Sequence, residues 1–119
     1  MVKYIDINTC FDFIKKKNSQ LGINFGLERI SQTLQKLNNP QNNYLTIHIT
    51  GTNGKGSTTT MISSILQSFG FKVGTYISPK IHTYNEMFLI NGKQISDDDF
   101  IKNFNEIIDF CDNLTAFEI

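Results

Sequence analysis

His48 to Met61, "HITGTNGKGSTTTM", sets three glycines and a lysine between an apolar stretch and one rich in threonine and serine. To its left, "YLTIHIT" (44–50) is dense in β-branched and aromatic residues and predicts a strand. To its right, Ser57 to Phe69 predicts a helix with Met61, Ile65, Leu66 and Phe69 on one side and Gly70 as its stop. "FKVGTYI" (71–77) then predicts a second strand. Strand, glycine loop, helix and strand in that order make a βαβ unit, with parallel strands and a right-handed crossover.

A strand that delivers a glycine-bearing turn to a helix N-terminus gathers unpaired backbone N–H groups and the positive end of the helix dipole at one point. Such a point favours a phosphate. Gly51, Gly54 and Gly56 let the backbone curl closely, Lys55 adds a point charge, and Ser57 and Thr58 offer hydroxyls. The strict pattern of a glycine, four residues and Gly-Lys-Ser/Thr is not met, because Gly56 follows Lys55 and Ile49 holds the first glycine's place. On spacing alone, a phosphate loop and a plain strand-to-helix turn both stay open.

Outward from the loop, Leu27, Ile30, Leu34 and Leu37 recur at helical spacing until "NNPQNN" (38–43) ends the pattern, which makes Leu27 and Ile30 core residues of that helix. Thr9 is placed as the cap of an earlier helix running to about Lys17. In "MFLINGKQI" (87–95), Asn91-Gly92 predicts a hairpin turn, since both residues tolerate positive φ. Ser96 with Asp99 marks a helix start, and Phe100, Ile101, Phe104, Ile107, Ile108 and Cys111 form its apolar face. "LTAFEI" (114–119) reads as the beginning of another strand, and no repeat or domain boundary stands out.

Eleven basic residues balance eleven acidic ones, so no broad attraction to nucleic acid or to an anionic membrane is expected. With 39% hydrophobic residues in 119, the chain has the composition of one small domain. Cys10 and Cys111 stand far apart with no ligand-type spacing and read as core or helix-face thiols. No apolar run reaches the roughly 18 residues of a membrane span, and the N-terminus carries no signal-peptide pattern, so a cytoplasmic protein is expected. His48 alternates with Ile47 and Ile49 and reads as a structural strand residue.

The loop "GTNGKGS" (51–57) resembles the phosphate loop of the folylpolyglutamate and dihydrofolate synthase family, relatives of the Mur ligases, in which the extra glycine is normal. Four further pieces lie in family order: "GLERI" (26–30), "ISP" (77–79), "NE" with "INGKQIS" (85–96), and "LTAFE" (114–118). The resemblance covers nearly the whole chain. It implies an α/β fold, an incomplete P-loop nucleotide-binding domain with a parallel βαβ unit, N-terminal helices and a small β-hairpin. Residues 1–119 would be the N-terminal part of a Mur-ligase-like ATP-binding domain whose C-terminal domain is absent.

The resemblance also implies ATP-dependent amide formation: a carboxylate of folate or dihydropteroate is activated as an acyl phosphate, and the amine of L-glutamate displaces phosphate. Lys55, as the catalytic cation, would hold the ATP phosphates with the loop Gly51, Thr52, Asn53, Gly54, Gly56, Ser57 and Thr58. Ser78 and Glu118 would be the magnesium ligands, and "GLERI" with Phe117 would approach the pterin-bearing substrate. Two positions depart from the family: Lys80 replaces a histidine after Ser-Pro, with His82 two residues on, and Met87 replaces an arginine. Lysine keeps the charge but not acid–base function near neutral pH. Three readings stand: an N-terminal part of such a synthase that works with the missing remainder of the enzyme, a truncated remnant with weak nucleotide binding and no catalysis, and, less favoured by "GTNGKGS" and "GLERI", a Mur-type cell-wall ligase.

Overall fold

In the computed structural model, residues 3–119 are described. The helices are α1 (Ile7–Leu21), α2 (Glu28–Lys36), α3 (Lys55–Ser68) and α4 (Asp97–Ile107), with strands β1 (Gly74–Tyr76), β2 (Phe88–Ile90) and β3 (Lys93–Gln94) between the last two helices. The chain divides into two compact units, one formed by the residues up to Leu45 together with Asp98–Ile119, the other by Thr46–Asp97.

The first unit holds an apolar core. On α1, Cys10 and Ile14 are buried one turn apart. Phe100, Phe104 and Ile108 are buried at four-residue steps, followed by Cys111 and Leu114. The aromatic rings meet edge to face: Tyr4 against Phe104 at 5.1 Å, Phe13 against Phe104 at 5.7 Å, and Phe11 against Phe100 at 5.3 Å. The segment entering α1 is tied to α4 by Asn105, whose Oδ1 accepts from the amides of Lys3 and Tyr4 while its Nδ2 donates to the Tyr4 carbonyl.

α1 begins earlier than expected, and its cap is Asp6, whose Oδ1 accepts from the Asn8 amide at 2.6 Å. Thr9 lies inside the helix and donates to the Asp6 carbonyl instead. α2 ends where Asn38 and Asn39 turn to positive φ, as the "NNPQNN" punctuation predicts.

The second unit is organised by polar contacts. α3 meets β1 through the hydroxyls of Ser63 and Thr75, 2.9 Å apart, and Gln67 donates to Ser63 Oγ at 3.0 Å. The sheet runs β1-β2-β3, antiparallel throughout, with Tyr76 opposite Phe88 and their rings 5.4 Å apart. Asn91 and Gly92, at φ 49° and 75°, form the predicted two-residue turn between β2 and β3.

Three expectations are corrected by the structure. "YLTIHIT" forms no strand, and no parallel pairing occurs among the described residues, so the parallel βαβ unit is replaced by a small antiparallel sheet. An extended segment becomes a strand only when a neighbour pairs with its backbone, and 44–50 has none in the described ladder. "LTAFEI" is also not a strand: it folds into a turn, with the amides of Glu118 and Ile119 both bonded to the Thr115 carbonyl.

Candidate functional site

The glycine loop reaches α3 through Gly54, the residue before the helix, which sits at φ 75° in left-handed space that glycine enters at no steric cost. Thr58 N–H is already bonded to the Gly54 carbonyl at 2.9 Å. The amides of Lys55, Gly56 and Ser57 precede it and have no carbonyl within the helix to bond. They are the donors that a helix N-terminus directs at an anion. Lys55 folds back so that its ammonium donates to the Gly51 carbonyl at 2.7 Å, which keeps the cation over the loop. Thr59 and Thr60 spend their hydroxyls on the helix carbonyls of Lys55 and Gly56, whereas Ser57 and Thr58 lie exposed on the first turn. The fold therefore brings Gly51 through Thr58 together in one exposed loop-and-helix start.

Ser78 lies in the same unit, exposed in the turn after β1. That turn is built by Glu86. Its carboxylate accepts from the amides of Ile81 at 2.9 Å, His82 at 3.1 Å and Thr83 at 3.1 Å. These hydrogen bonds, the Ile81 amide first, hold the Glu86 carboxyl below its ordinary pKa, against a small opposing effect of burial. Thr83 and Glu86 form a reciprocal capping box around the single turn Tyr84–Met87. The neighbouring Asn85 is buried, donating to the Ile95 carbonyl and to Asp97 Oδ1. Lys80, at the departure from the family pattern, places its ammonium over the Tyr84 ring at 4.7 Å. Glu86 thus holds the backbone of Ile81 to Thr83, just after Lys80, while Asn85 ties the same single turn to Ile95 and Asp97.

Glu118 lies in the other unit. Its Oε2 accepts from the Thr115 amide at 2.8 Å and from Arg29 Nε at 3.3 Å, and its Oε1 stands 3.2 Å from Arg29 Nη2. Burial pushes the Glu118 carboxyl up, but the bonds to Thr115 and Arg29 outweigh it and hold the pKa below its ordinary value. Magnesium prefers one or two carboxylates with phosphate oxygens and water. Ser78 presents a neutral hydroxyl in an exposed turn, and Glu118 presents a carboxylate whose Oε1, 3.2 Å from Arg29 Nη2, is buried without a hydrogen bond, the kind of acceptor a cation would satisfy. No group of three or more His, Cys, Asp or Glu side chains suited to a metal occurs among the described residues.

Leu27 is corrected from the core to the surface, at 74% exposure, while Ile30 is half-buried. Phe117, from the same unit, is 72% exposed. His48 is exposed in the irregular 44–50 segment rather than in a strand. Cys111 is buried, and burial pushes its thiol up to about 11 despite Lys17 nearby, so it is no nucleophile near neutral pH. Sequence reasoning missed Arg29, the Thr83–Glu86 capping box and the Thr115–Glu118 turn. The four-residue spacing in "TYNE" (83–86) and "TAFE" (115–118) was the available signal.

Residues 49–103 match the family model of the Mur ligase middle domain. Over 88 residues the chain is 41% identical to the dihydrofolate synthase/folylpolyglutamate synthase of Bacillus subtilis, an alignment that takes in 74% of this chain and 20% of that protein. The folylpolyglutamate synthase structure from Thermotoga maritima superposes with a TM-score of 0.81 at 37% identity, over 93% of this chain and 28% of that one. The bifunctional synthase of Yersinia pestis, complexed with AMPPNP and a manganese ion, superposes with a TM-score of 0.78 at 30% identity, over 96% and 28%. The chain thus spans about a fifth of the length of the curated relative it matches. By loop, fold and these likenesses together, the chain belongs to the folylpolyglutamate and dihydrofolate synthase family of Mur ligases and corresponds to the N-terminal portion of its longer members.

Proposed function

We propose that this chain supplies the phosphate-binding part of an ATP-dependent ligase that adds L-glutamate to folate or dihydropteroate through an acyl phosphate. The observation that carries the reading is the start of α3, where three amides without helical partners, the Gly54 turn and the Lys55 ammonium converge on one point. The AMPPNP and manganese held by the Yersinia pestis relative support ATP with a divalent ion as the ligand class. Gly51 to Thr58 would bind the phosphates, with Lys55 neutralising the charge that develops as the terminal phosphoryl group moves to the carboxylate. Ser78 would offer its hydroxyl to magnesium, which when bound neutralises phosphate charge and orients the nucleotide. Leu27 and Phe117, exposed apolar side chains of the other unit, suit a flat pterin ring.

The expected outcome is weak magnesium–ATP binding by the chain and a loss of at least about tenfold in Lys55→Ala, equivalent to about 1.4 kcal/mol. Isothermal titration of both proteins checks it, and equal affinity in the two would remove the loop from the site. The Lys80 and Met87 departures from the family pattern favour a second reading, an inactive remnant that keeps only this binding. The mass of the native product separates the two. A band several times larger, forming product from ATP, glutamate and a pterin acceptor, supports the ligase, whereas a product of this length with no companion chain supports the remnant.

A further inference from the structure

We infer that Lys80 is a further contact of the nucleotide, an ammonium backed by the Tyr84 ring that meets the terminal phosphate at the glycine loop. The inference deepens the reading of that loop as a phosphate site and rests on it. Its first support is where Lys80 stands in the second unit. A Cβ at Gly56, in the first turn of α3, would stand 3.7 Å from Ile77 Cγ2, so the chain leaving β1 runs against the start of the helix. Ile77 is held there by its amide, which donates to the Met87 carbonyl at 2.9 Å. Lys80 follows three residues later, within about 10 Å of Ile77 even along a fully extended chain. The loop and helix start are thus bordered by Lys55 from within and by Lys80 from the β1 side. The loop amides and Lys55 enclose the phosphates nearest the helix, so the group left for Lys80 is the outermost.

The state of the ammonium is the second support. Lys80 is half-buried, with its Nζ 4.7 Å from the centroid of the Tyr84 ring. The face of the ring attracts the cation and occupies one side of it. Among the described residues no carboxylate pairs with Lys80 and no protein oxygen accepts its three N–H groups. Other lysines are spent differently: Lys3 pairs with Asp109, and Lys17 donates to the Asp112 carbonyl. The support under Lys80 is also fixed. Glu86 bonds the amides of Ile81 and His82 directly after it, and Tyr84 belongs to the single turn that the same carboxylate caps. A cation already held in place loses less freedom on meeting an anion than a mobile surface lysine does.

The test is titration of the whole 119-residue chain with magnesium–ADP and magnesium–AMPPNP, by calorimetry and by NMR. Lys80→Met keeps an apolar stem on the ring and removes the charge. It is expected to weaken AMPPNP binding about fivefold, the upper scale for an ion pair that water reaches, and to leave ADP binding unchanged. Lys80→Arg should restore the AMPPNP affinity. In the wild type, the ε-methylene signals of Lys80 should shift with AMPPNP and stay in place with ADP. Unchanged AMPPNP affinity in Lys80→Met would overturn the contact. An equal loss for both nucleotides would also overturn it, by making the role of Lys80 structural. Lys80 signals that move with glutamate and not with AMPPNP would overturn it in favour of a carboxylate site. Failure of the loop reading looks different: neither nucleotide disturbs the Gly54 to Ser57 amides, and the Lys80 contact falls with it.

Discussion

Glu86 and Glu118 occupy the same place in two Thr-x-x-Glu stretches, and in both the carboxylate is spent on backbone amides. For Glu86 the consequence is a pH dependence of known sign. Its folded pKa lies below the ordinary 4.5 because the Ile81 amide, then those of His82 and Thr83, bond the ionised form. A depressed carboxylate pKa contributes stability that is present above the unfolded value and is lost as pH falls through the folded one. Thermal melts of wild type and Glu86→Gln are therefore expected to differ most near neutral pH and to converge as the pH falls below 4.5. A difference that stays constant from pH 7 to pH 3 would assign Glu86's effect to shape rather than charge. His82 is part of the same turn, its amide bonded to Glu86, so its ring is carried on a backbone that this carboxylate holds.

Helices were legible because their signals are local. α2 ends where Asn38 and Asn39 take positive φ, α4 keeps its apolar spacing in the buried Phe100 and Phe104, and α3 starts at a glycine placed for a left-handed turn. The β2–β3 hairpin was equally legible, since the Asn91-Gly92 turn chemistry is contained in two residues. Gly92→Ala forces an L side chain to φ 75° and sets its Cβ at 3.5 Å from Gln67 Oε1, an ordinary contact, so the cost is conformational. Urea unfolding is expected to show a loss of about 1 kcal/mol. Strands predicted at 44–50 and 114–119 failed for different reasons. The first needs a pairing partner, which no local signal supplies, and the second folds into the Thr115–Glu118 turn instead.

Burial is unequal across the molecule. Among the described residues, the buried large apolar side chains, including Phe100, Phe104, Ile108 and Leu114, belong to the first unit. In the second, the buried residues among those described are the polar Ser63 and Asn85, while Ile47, Met61, Ile65, Phe69 and Phe71 are exposed. Of the apolar α3 face foreseen, Leu66 is half-buried while Met61, Ile65 and Phe69 stay exposed. Apolar area left in water contributes nothing to folding, and contiguous patches promote association. The 119-residue chain alone is expected to bind a hydrophobic dye and to unfold over a broad range, checked by dye fluorescence and calorimetry. A sharp two-state melt of a monomer that binds no dye would contradict this.

The glycine turn before α3, the end of α2 at Asn38-Asn39 and the Asn91-Gly92 turn were determined by the amino-acid order, because each depends on backbone conformations and hydrogen bonds within a few residues. The antiparallel sheet, the exposure of Leu27 and the pairing of Arg29 with Glu118, 89 positions apart, were decided only by the tertiary structure. Sheet order, solvent contact and a buried ion pair are set by which distant segments meet, and nothing in the local pattern encodes that meeting.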